Sequence, residues 1–385
     1  MQPHDDCAPA PPTRAPDGVA TTSDSAEIVA STAAGSSPPT EPAVLTVATV
    51  NAGLARGWVK HADARRPLLH DVLATENLDL LCVQEYWATD DYVALLRATA
   101  AQLPELHRAA ARRPRGACEP QTLAAIEHCA TAECQNGDQG LVSCVTERCK
   151  QSASGASRAC AQCLVRHALA EEELAGCAEE RASGDHEVLP RGGVALLSAR
   201  PIAERDVLTL ASPLLDRLVL HARLRDTPMG TVDVFCTHLT TPLPVDLPGM
   251  SPDINRHQVE SLLAFIDAKA PPGITLVLGD LNHGPAIGES IRAHYPKHYA
   301  LLTRAGFANP YAAGATAACT RCDDNPLVGG RGGGGLLIDH VLVKGHSGTS
   351  AGARFLDERT VSVGDAEVPP SDHYGVRATL RRNPR

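Results

Sequence analysis

From Val44 onward, short apolar runs bounded by turn residues alternate with longer stretches of helical periodicity. Runs of consecutive apolar residues predict buried strands. They fall at Val44–Val50, Leu78–Val83, Gly193–Ser198, Arg217–Leu224, Thr231–Thr237, Ile274–Leu278, Leu336–Val343 and His373–Leu380. Helices are predicted over Ala62–Thr75, Asp90–Gln102 and Asn255–Asp267. In the last of these, Val259, Leu262, Leu263 and Ile266 recur at spacings of three and four and make one apolar stripe. Helices interleaved with strands that are apolar on both faces predict a layered α/β body with its sheets inside.

Two segments break this pattern. Residues 1–42 are rich in Ala, Pro, Ser and Thr and have too few large apolar side chains to offset the entropy of ordering. They read as a disordered leader. It has no cationic start followed by an apolar stretch of roughly 7 to 15 residues, so no secretory signal is visible in it. The second segment, 118–188, holds eight of the thirteen cysteines and reads as an insertion within a domain spanning 43–382. Cys129/Cys134 and Cys144/Cys149 repeat one C-x4-C spacing fifteen residues apart, and Cys160/Cys163 follow as a shortened copy. Such a repeat predicts stacked short helices.

An even number of closely spaced cysteines in a segment with little apolar core predicts a disulfide framework. A zinc cluster is the competing reading. It calls for C-x2-C pairs with histidine partners, whereas His128 and His167 stand in no such pattern. Free thiols are the third possibility. Cys319 and Cys322 are expected to pair with each other or with another cysteine. A disulfide framework places the protein outside the reducing cytosol, extracellular or in the cell envelope.

Charge changes the picture by its distribution. The 385-residue chain carries a net charge of -10, with 43% hydrophobic and 21% charged residues, as expected of a globular protein. Residues 1–42 contain six acids and one base, and 118–188 twelve acids and five bases. The remaining body is nearly neutral, which neither favours nor opposes a phosphate-bearing substrate. No apolar run approaches the roughly 18 residues that cross a bilayer, so no transmembrane segment is expected.

The chemistry is predicted at the strand ends. Asn51 follows the first strand, Gln84-Glu85 the second, and His238 ends the run Val234–Thr237. Asp280-Leu281-Asn282 follows Ile274–Gly279, Asp339-His340 interrupts an apolar run, and Ser371-Asp372-His373 precedes the last strand. In a layered sheet such ends share a rim, where their side chains can converge. Carboxylates and amides without thiolates suit a hard divalent cation, above all Mg²⁺, with Mn²⁺ and Ca²⁺ as alternatives. A cation, an Asp to orient or deprotonate water, and a His paired with a separate Asp form the inventory of a phosphoester hydrolase.

In order along the chain, Thr49-Val50-Asn51, Val83-Gln84-Glu85, Gly193–Ser198 with Pro201-Ile202, Thr237-His238-Leu239, Gly279–Asn282, Ile338-Asp339-His340 and Ser371-Asp372-His373 closely resemble the endonuclease/exonuclease/phosphatase superfamily. These are the deoxyribonuclease-I-like phosphodiesterases. The resemblance implies a four-layered α/β sandwich of two packed β-sheets flanked by helices, here with a cysteine-rich helical insertion. It implies Glu85 as principal metal ligand, Asn51 near metal and phosphate, and Asp372 completing the metal side. Asp280 would orient or activate the attacking water, and Asn282 would fix that water or a phosphate oxygen. His373, its imidazole held by Asp339, would contact the scissile phosphate, and His238 would stabilise charge on the phosphoryl group. His340 stands where the family usually has an aromatic residue.

The other motifs carry less. His61, His70, His221 and His257 are expected to be structural or surface residues. The glycine-rich stretch 329–335 lacks a phosphate-loop ending and is expected to be a mobile loop at the site rim. Arg108, Arg112, Arg113 and Arg115 form a basic cluster that could contact an extended polyanion. A monomeric, Mg²⁺-dependent phosphodiesterase is therefore expected, first as a nuclease, with phospholipid as the other substrate. A phospholipase C of the sphingomyelinase type shares the catalytic residues, and Asn325-Pro326-Leu327 resembles loops of that type. Low aromatic content and the acidic insertion count against avid nucleic-acid binding. A non-catalytic binding module built on the insertion is the reading from a different class; it would require loss of catalytic groups, and all are present.

Overall fold

A computed structural model describes residues 43–56, 58–112, 118–134, 144–145, 148–170, 174–178, 188–212, 215–241, 253–328 and 334–383. The leader expected at 1–42 lies outside the described residues, as do most of the glycine-rich stretch and Arg113 and Arg115 of the basic cluster.

Two sheets make the centre. The first contains β1 (Val44–Asn51), β2 (Leu80–Gln84), β3 (Glu105–Arg112), β4 (Val188–Ser198), β10 (Thr349–Phe355) and β13 (Gly375–Arg381), in the order β10-β13-β1-β2-β4-β3. The second contains β5 (Glu204–Leu210), β6 (Arg217–Thr227), β7 (Gly230–His238), β8 (Ile274–Asp280) and β9 (Asp339–Lys344), in sequence order. A small hairpin of β11 (Val361–Val363) and β12 (Ala366–Val368) stands apart. Four helices cover the outer faces: α1 (Ala62–Thr75) and α2 (Thr89–Thr99) on the first sheet, α6 (Ile254–Lys269) and α7 (Pro296–Arg304) on the second.

Burial explains why the strands read as continuous apolar runs. Leu80, Val194, Leu196, Leu218, Leu220, Val234, Leu276, Leu278 and Val376 fill the space between the sheets. The alternating residues Leu81, Val83, Ala195 and Leu197 face Leu69, Leu73 and Leu95 on the outer helices of the first sheet. Val219, Phe235, Val277 and Leu342 likewise face Val259, Leu262 and Ile266. Each fully buried aliphatic side chain stabilises the fold by about 1.5–3 kcal/mol. The four-layered sandwich is therefore set by strands that must be covered on both sides.

Differences from the sequence expectation are local. Leu336 and Leu337 precede β9, because Leu336 bridges Arg321 and pairing with β8 starts only at Asp339. The helix expected to reach Gln102 ends at Thr99, and the freed Gln102 side chain donates to the carbonyls of Glu76 and Leu78. The pattern misses five of the described strands: β11 and β12 of the small hairpin, and β3, β5 and β10, which are all edges of the two large sheets. Charged and polar residues break up β5, and small residues make up most of β10, so no apolar run marks them.

The cysteine-rich insertion joins β3 to β4, which are neighbours in the first sheet. It folds as α3 (Pro120–Glu133), α4 (Lys150–Ala153), α5 (Arg158–Ala170) and a short turn of 3-10 helix at Leu174–Cys177. The C-x4-C copies pair with each other in nested fashion, Cys129–Cys149 outside and Cys134–Cys144 inside. Cys118–Cys160 and Cys163–Cys177 close the rest. Beside those sulfurs the insertion's small core adds little more than Leu123. Cross-links take the place of apolar burial there. Cys319 pairs with Cys322, and Cys82–Cys236 joins the two sheets through the middle of the sandwich.

Candidate active site

Strand direction brings the predicted residues together. β1 and β2 run parallel, with Asn51 opposite Gln84, so Asn51 and Glu85 leave the first sheet at the same end. β7 and β8 are also parallel and pair His238 with Asp280. β9 runs antiparallel and begins with Asp339 opposite Asp280. β13 is antiparallel to β1, so Asp372 and His373, just before it, arrive at the same rim. Of the eight predicted residues, seven are buried, and Glu85 alone keeps partial exposure.

The side chains form one connected set. Asn51 Nδ2 donates to Asp280 Oδ2 at 3.0 Å and to Glu85 Oε1 at 3.3 Å. Asp280 Oδ2 also lies 3.4 Å from His238 Nε2 and 3.9 Å from His373 Nδ1. His373 Nδ1 donates to Asp339 Oδ2 at 2.8 Å, and its Nε2 lies 3.9 Å from Asp372 Oδ2. Asp280 Oδ1 accepts the Asn282 backbone N–H at 2.9 Å, while the Asn282 amide donates to the Leu239 carbonyl. An Asx-type turn therefore sits inside the site.

Electrostatics separate the groups. Burial opposes charge on His373, yet the carboxylates of Asp339, Asp372 and Asp280 hold it as an imidazolium and raise its pKa to about 10. Burial and the charge of Asp339 push Asp280 up to about 7. Burial and neighbouring Asp372 raise Glu85. His238 is held well below its ordinary value by burial, with Arg217 and His373 adding repulsion, and is neutral. Oxygen ligands of Asp280 and Asp339 and a nitrogen of His373 lie within 4.8 Å of one another.

The backbone is strained where chemistry is expected. Glu85 has φ 63° and Asn282 φ 53°, a left-handed conformation that costs a non-glycine residue about 1–2 kcal/mol. Gly53, at φ 56°, is required by proximity: a Cβ there would lie 2.3 Å from Asp372 Oδ1. Arg65 on α1 is fully buried beneath these loops. Its guanidinium donates to the carbonyls of Ala52, Gly53 and Pro370, clamping the loop after Asn51 to the loop before Asp372. Ser371 Oγ adds a bond to the Asn51 carbonyl.

Two residues were missed by sequence reasoning, Arg65 and Arg217. Arg217 opens β6, is 6% exposed, and interacts with the charges of Glu85 and Asp280. Its Nε and Nη1 have no hydrogen-bond partner. The strand-end position was the available signal. Arg217 lacked only a familiar motif around it. The unusual His340 is fully buried with both nitrogens satisfied: Asn309 donates to Nδ1 and Nε2 donates to the His283 carbonyl. The packing at that position is thereby settled. His70 and His221 are buried structural residues, stacked on Tyr86 and held between Asp206 and Asp233 respectively. Arg108 lies over the ring of Tyr92, 5.5 Å from its centroid.

The near approach of Cys163, His167 and Cys177 is no zinc centre, because Cys163 and Cys177 are bonded to each other. No helix among the described residues is long and apolar enough to cross a membrane.

Solved structures share this architecture. SmcL is 14% identical, with a TM-score of 0.53 over 88% of this chain and 99% of SmcL. Sphingomyelinase C from Streptomyces griseocarneus is 17% identical, with a TM-score of 0.51 over 88% and 99% of the two chains. Beta toxin from Staphylococcus aureus is 13% identical, at 0.52 over 87% and 99%. At such identities the likeness is one of fold. No curated protein sequence matches the chain. The profile of the Endonuclease/Exonuclease/phosphatase family matches residues 48–373, spanning the strand ends described above from the first motif to His373, and the chain belongs to that family.

Proposed function

We propose that this protein is a divalent-metal-dependent phosphodiesterase. The observation that carries the proposal is the buried convergence of Asp280, its carboxyl pushed up to about 7, with the His373–Asp339 pair. Asp280 takes the proton of the attacking water, and Asn282 orients that water or a phosphoryl oxygen. His373, kept protonated by Asp339, donates through Nε2 to the phosphoryl group. His238 offers Nδ1, which has no partner in the fold, and Arg217 its unpartnered Nε and Nη1.

The residues around Glu85 fit a hard cation. Glu85, Asp372 and Asn51 offer only oxygen donors, and Glu85 is raised by burial and by Asp372, a repulsion that a cation would relieve. Mg²⁺ is the expected ion. Bound there, it would polarise the phosphoryl group and neutralise developing charge.

As substrate, a lipid phosphodiester is favoured over a nucleic acid. Trp58, 47% exposed, follows the Asn51 loop, and Leu215 and Leu327 are partly exposed around Trp87. An apolar rim suits acyl chains, and over its sequence the insertion carries twelve acids against five bases, a balance that opposes avid binding of a polyanion. The likeness to a sphingomyelinase C supports the same choice. The six disulfides favour export from the reducing cytosol.

The test compares sphingomyelin and phosphatidylcholine vesicles with supercoiled plasmid, each with Mg²⁺ and with chelator. Magnesium-dependent headgroup release, lost in Asp280→Ala, is the expected result. Plasmid nicking without headgroup release would make the protein a nuclease. No hydrolysis of any phosphodiester by folded protein would remove the catalytic reading.

A further inference from the structure

The insertion does not stand off from the body as an appendage. Its helix α5 lies across several loops that border the site. The Leu169 carbonyl accepts the backbone N–H of Arg56, five residues after Asn51. Leu169 packs with Ala55, Val59 and Trp87, which follows Glu85 by two residues. Val165, Leu215 and Leu327 complete that cluster. Leu327 belongs to the turn of Asn325, whose amide donates to the carbonyl of Ser371, next to Asp372. A second line of contacts reaches the turn between β5 and β6. Arg158 Nη2 donates to the Ser212 carbonyl, and Arg166 Nη2 lies 3.3 Å from Asp216 Oδ2.

Asp216 immediately precedes Arg217, the buried guanidinium whose Nε and Nη1 have no hydrogen-bond partner and whose charge interacts with Glu85 and Asp280. Nothing in the fold fixes those two groups by hydrogen bonding, so their placement depends on the backbone that delivers them. That backbone is gripped from outside by α5 through Arg158, Arg166 and the apolar contact at Leu215. α5 is itself cross-linked twice, by Cys118–Cys160 and Cys163–Cys177.

We infer that α5 of the cysteine-rich insertion is a positioning element of the active site: through Arg158 and Arg166 it holds the β5–β6 turn and so sets Arg217 against the phosphoryl group. The inference rests on the phosphodiesterase reading, but its structural half can be tested without turnover. Arg166 and Arg158 are positioning residues, and they touch no substrate.

The test is a double-mutant cycle on the full chain, using bis(4-nitrophenyl) phosphate with Mg²⁺ as probe. Arg158→Met with Arg166→Met is expected to lower kcat/KM about tenfold in the wild-type background and less than about twofold in an Arg217→Ala background, since coupled residues are not additive. Mg²⁺ affinity by calorimetry is expected to stay unchanged, because Glu85, Asn51 and Asp372 keep their contacts. Equal losses in both backgrounds, or no loss in either, overturn the inference. Hydrogen exchange at residues 215–222 provides the second measurement. Protection in that segment is expected to fall about tenfold in the Arg158→Met/Arg166→Met protein while the other strands of the second sheet keep theirs. Unchanged protection there overturns the positioning role. If the wild type hydrolyses no diester but the exchange effect appears, the phosphodiesterase reading fails and the mechanical link stands.

Discussion

At the scale of residues, the candidate site separates two buried carboxylates by environment alone. Asp280 and Asp339 are both buried carboxylates, yet Asp339 is spent on His373 while Asp280 is shared among Asn51, His238 and the Asn282 backbone. Asp280→Ala and His373→Ala are each expected to cut turnover by about three orders of magnitude or more, leaving the thermal midpoint within a few degrees. Retention of near-normal kcat would remove that residue from the chemistry. Since Asp280 must be ionised to accept a proton, its pKa near 7 predicts a rate that rises with pH across neutrality. A flat profile from pH 5 to 8 would contradict this. The eight predicted residues could be named as candidates because each sits at a strand end within a short recognisable motif, and the fold gathers those ends at one rim. Arg217 could not, because a cation beginning an apolar run looks like an ordinary strand start. Arg65 was hidden more deeply: on a helix, an arginine reads as a solvated residue, and only the fold shows it buried against three carbonyls.

At the scale of elements, the long central strands and the helices that cover them were legible from apolar pattern, whereas edge strands and turns were not. The reason is physical. A strand covered on both faces must be apolar throughout, while an edge strand such as β5 alternates, with Arg205, Val207 and Thr209 toward solvent. The turns after β1, β2 and β8 answer to the site more than to local propensity. Glu85 and Asn282 adopt left-handed backbone without being glycine, and Gly53 leaves room for Asp372. Gly53→Ala is therefore expected to displace the Asp372 carboxylate and weaken Mg²⁺ binding at least tenfold by calorimetry, with a smaller effect on folding. Unaltered affinity would mean that Asp372 is not on the metal side.

At the scale of the whole molecule, disulfides and buried histidines set the conditions under which the fold survives. The cysteine framework was anticipated, but its connectivity was not, since eight cysteines allow 105 pairings and only the packed helices choose one. The six bridges use twelve of thirteen cysteines. One reactive thiol per chain is expected in denaturant without reductant, and several would contradict the pairing. Burial lowers His70 and His340 from 6.5 to about 4. Between those values the unfolded chain binds protons that these two native imidazoles refuse, so their contribution to stability falls as pH drops from about 6.5 to 4 and then levels off. Each group accounts for up to about 3 kcal/mol of that loss. Chemical denaturation at pH 7, 5.5 and 4.5 checks this, and His70→Phe is expected to flatten the slope while keeping the stack on Tyr86.

The candidate set is drawn from both sheets, Asn51, Glu85, Asp372 and His373 from one and Arg217, His238, Asp280 and Asp339 from the other. It works as a vernier straddling the seam of the sandwich. A slide of one sheet past the other by a fraction of an ångström would barely disturb a greasy interior. The same slide would misalign a 2.8 Å bond between His373 and Asp339. Cys82–Cys236 pins that seam a few residues below the rim, two positions from Gln84 on one side and from His238 on the other. On the proposed phosphodiesterase reading, a protein stripped of this pin is expected to lose rate while its circular dichroism spectrum still looks native.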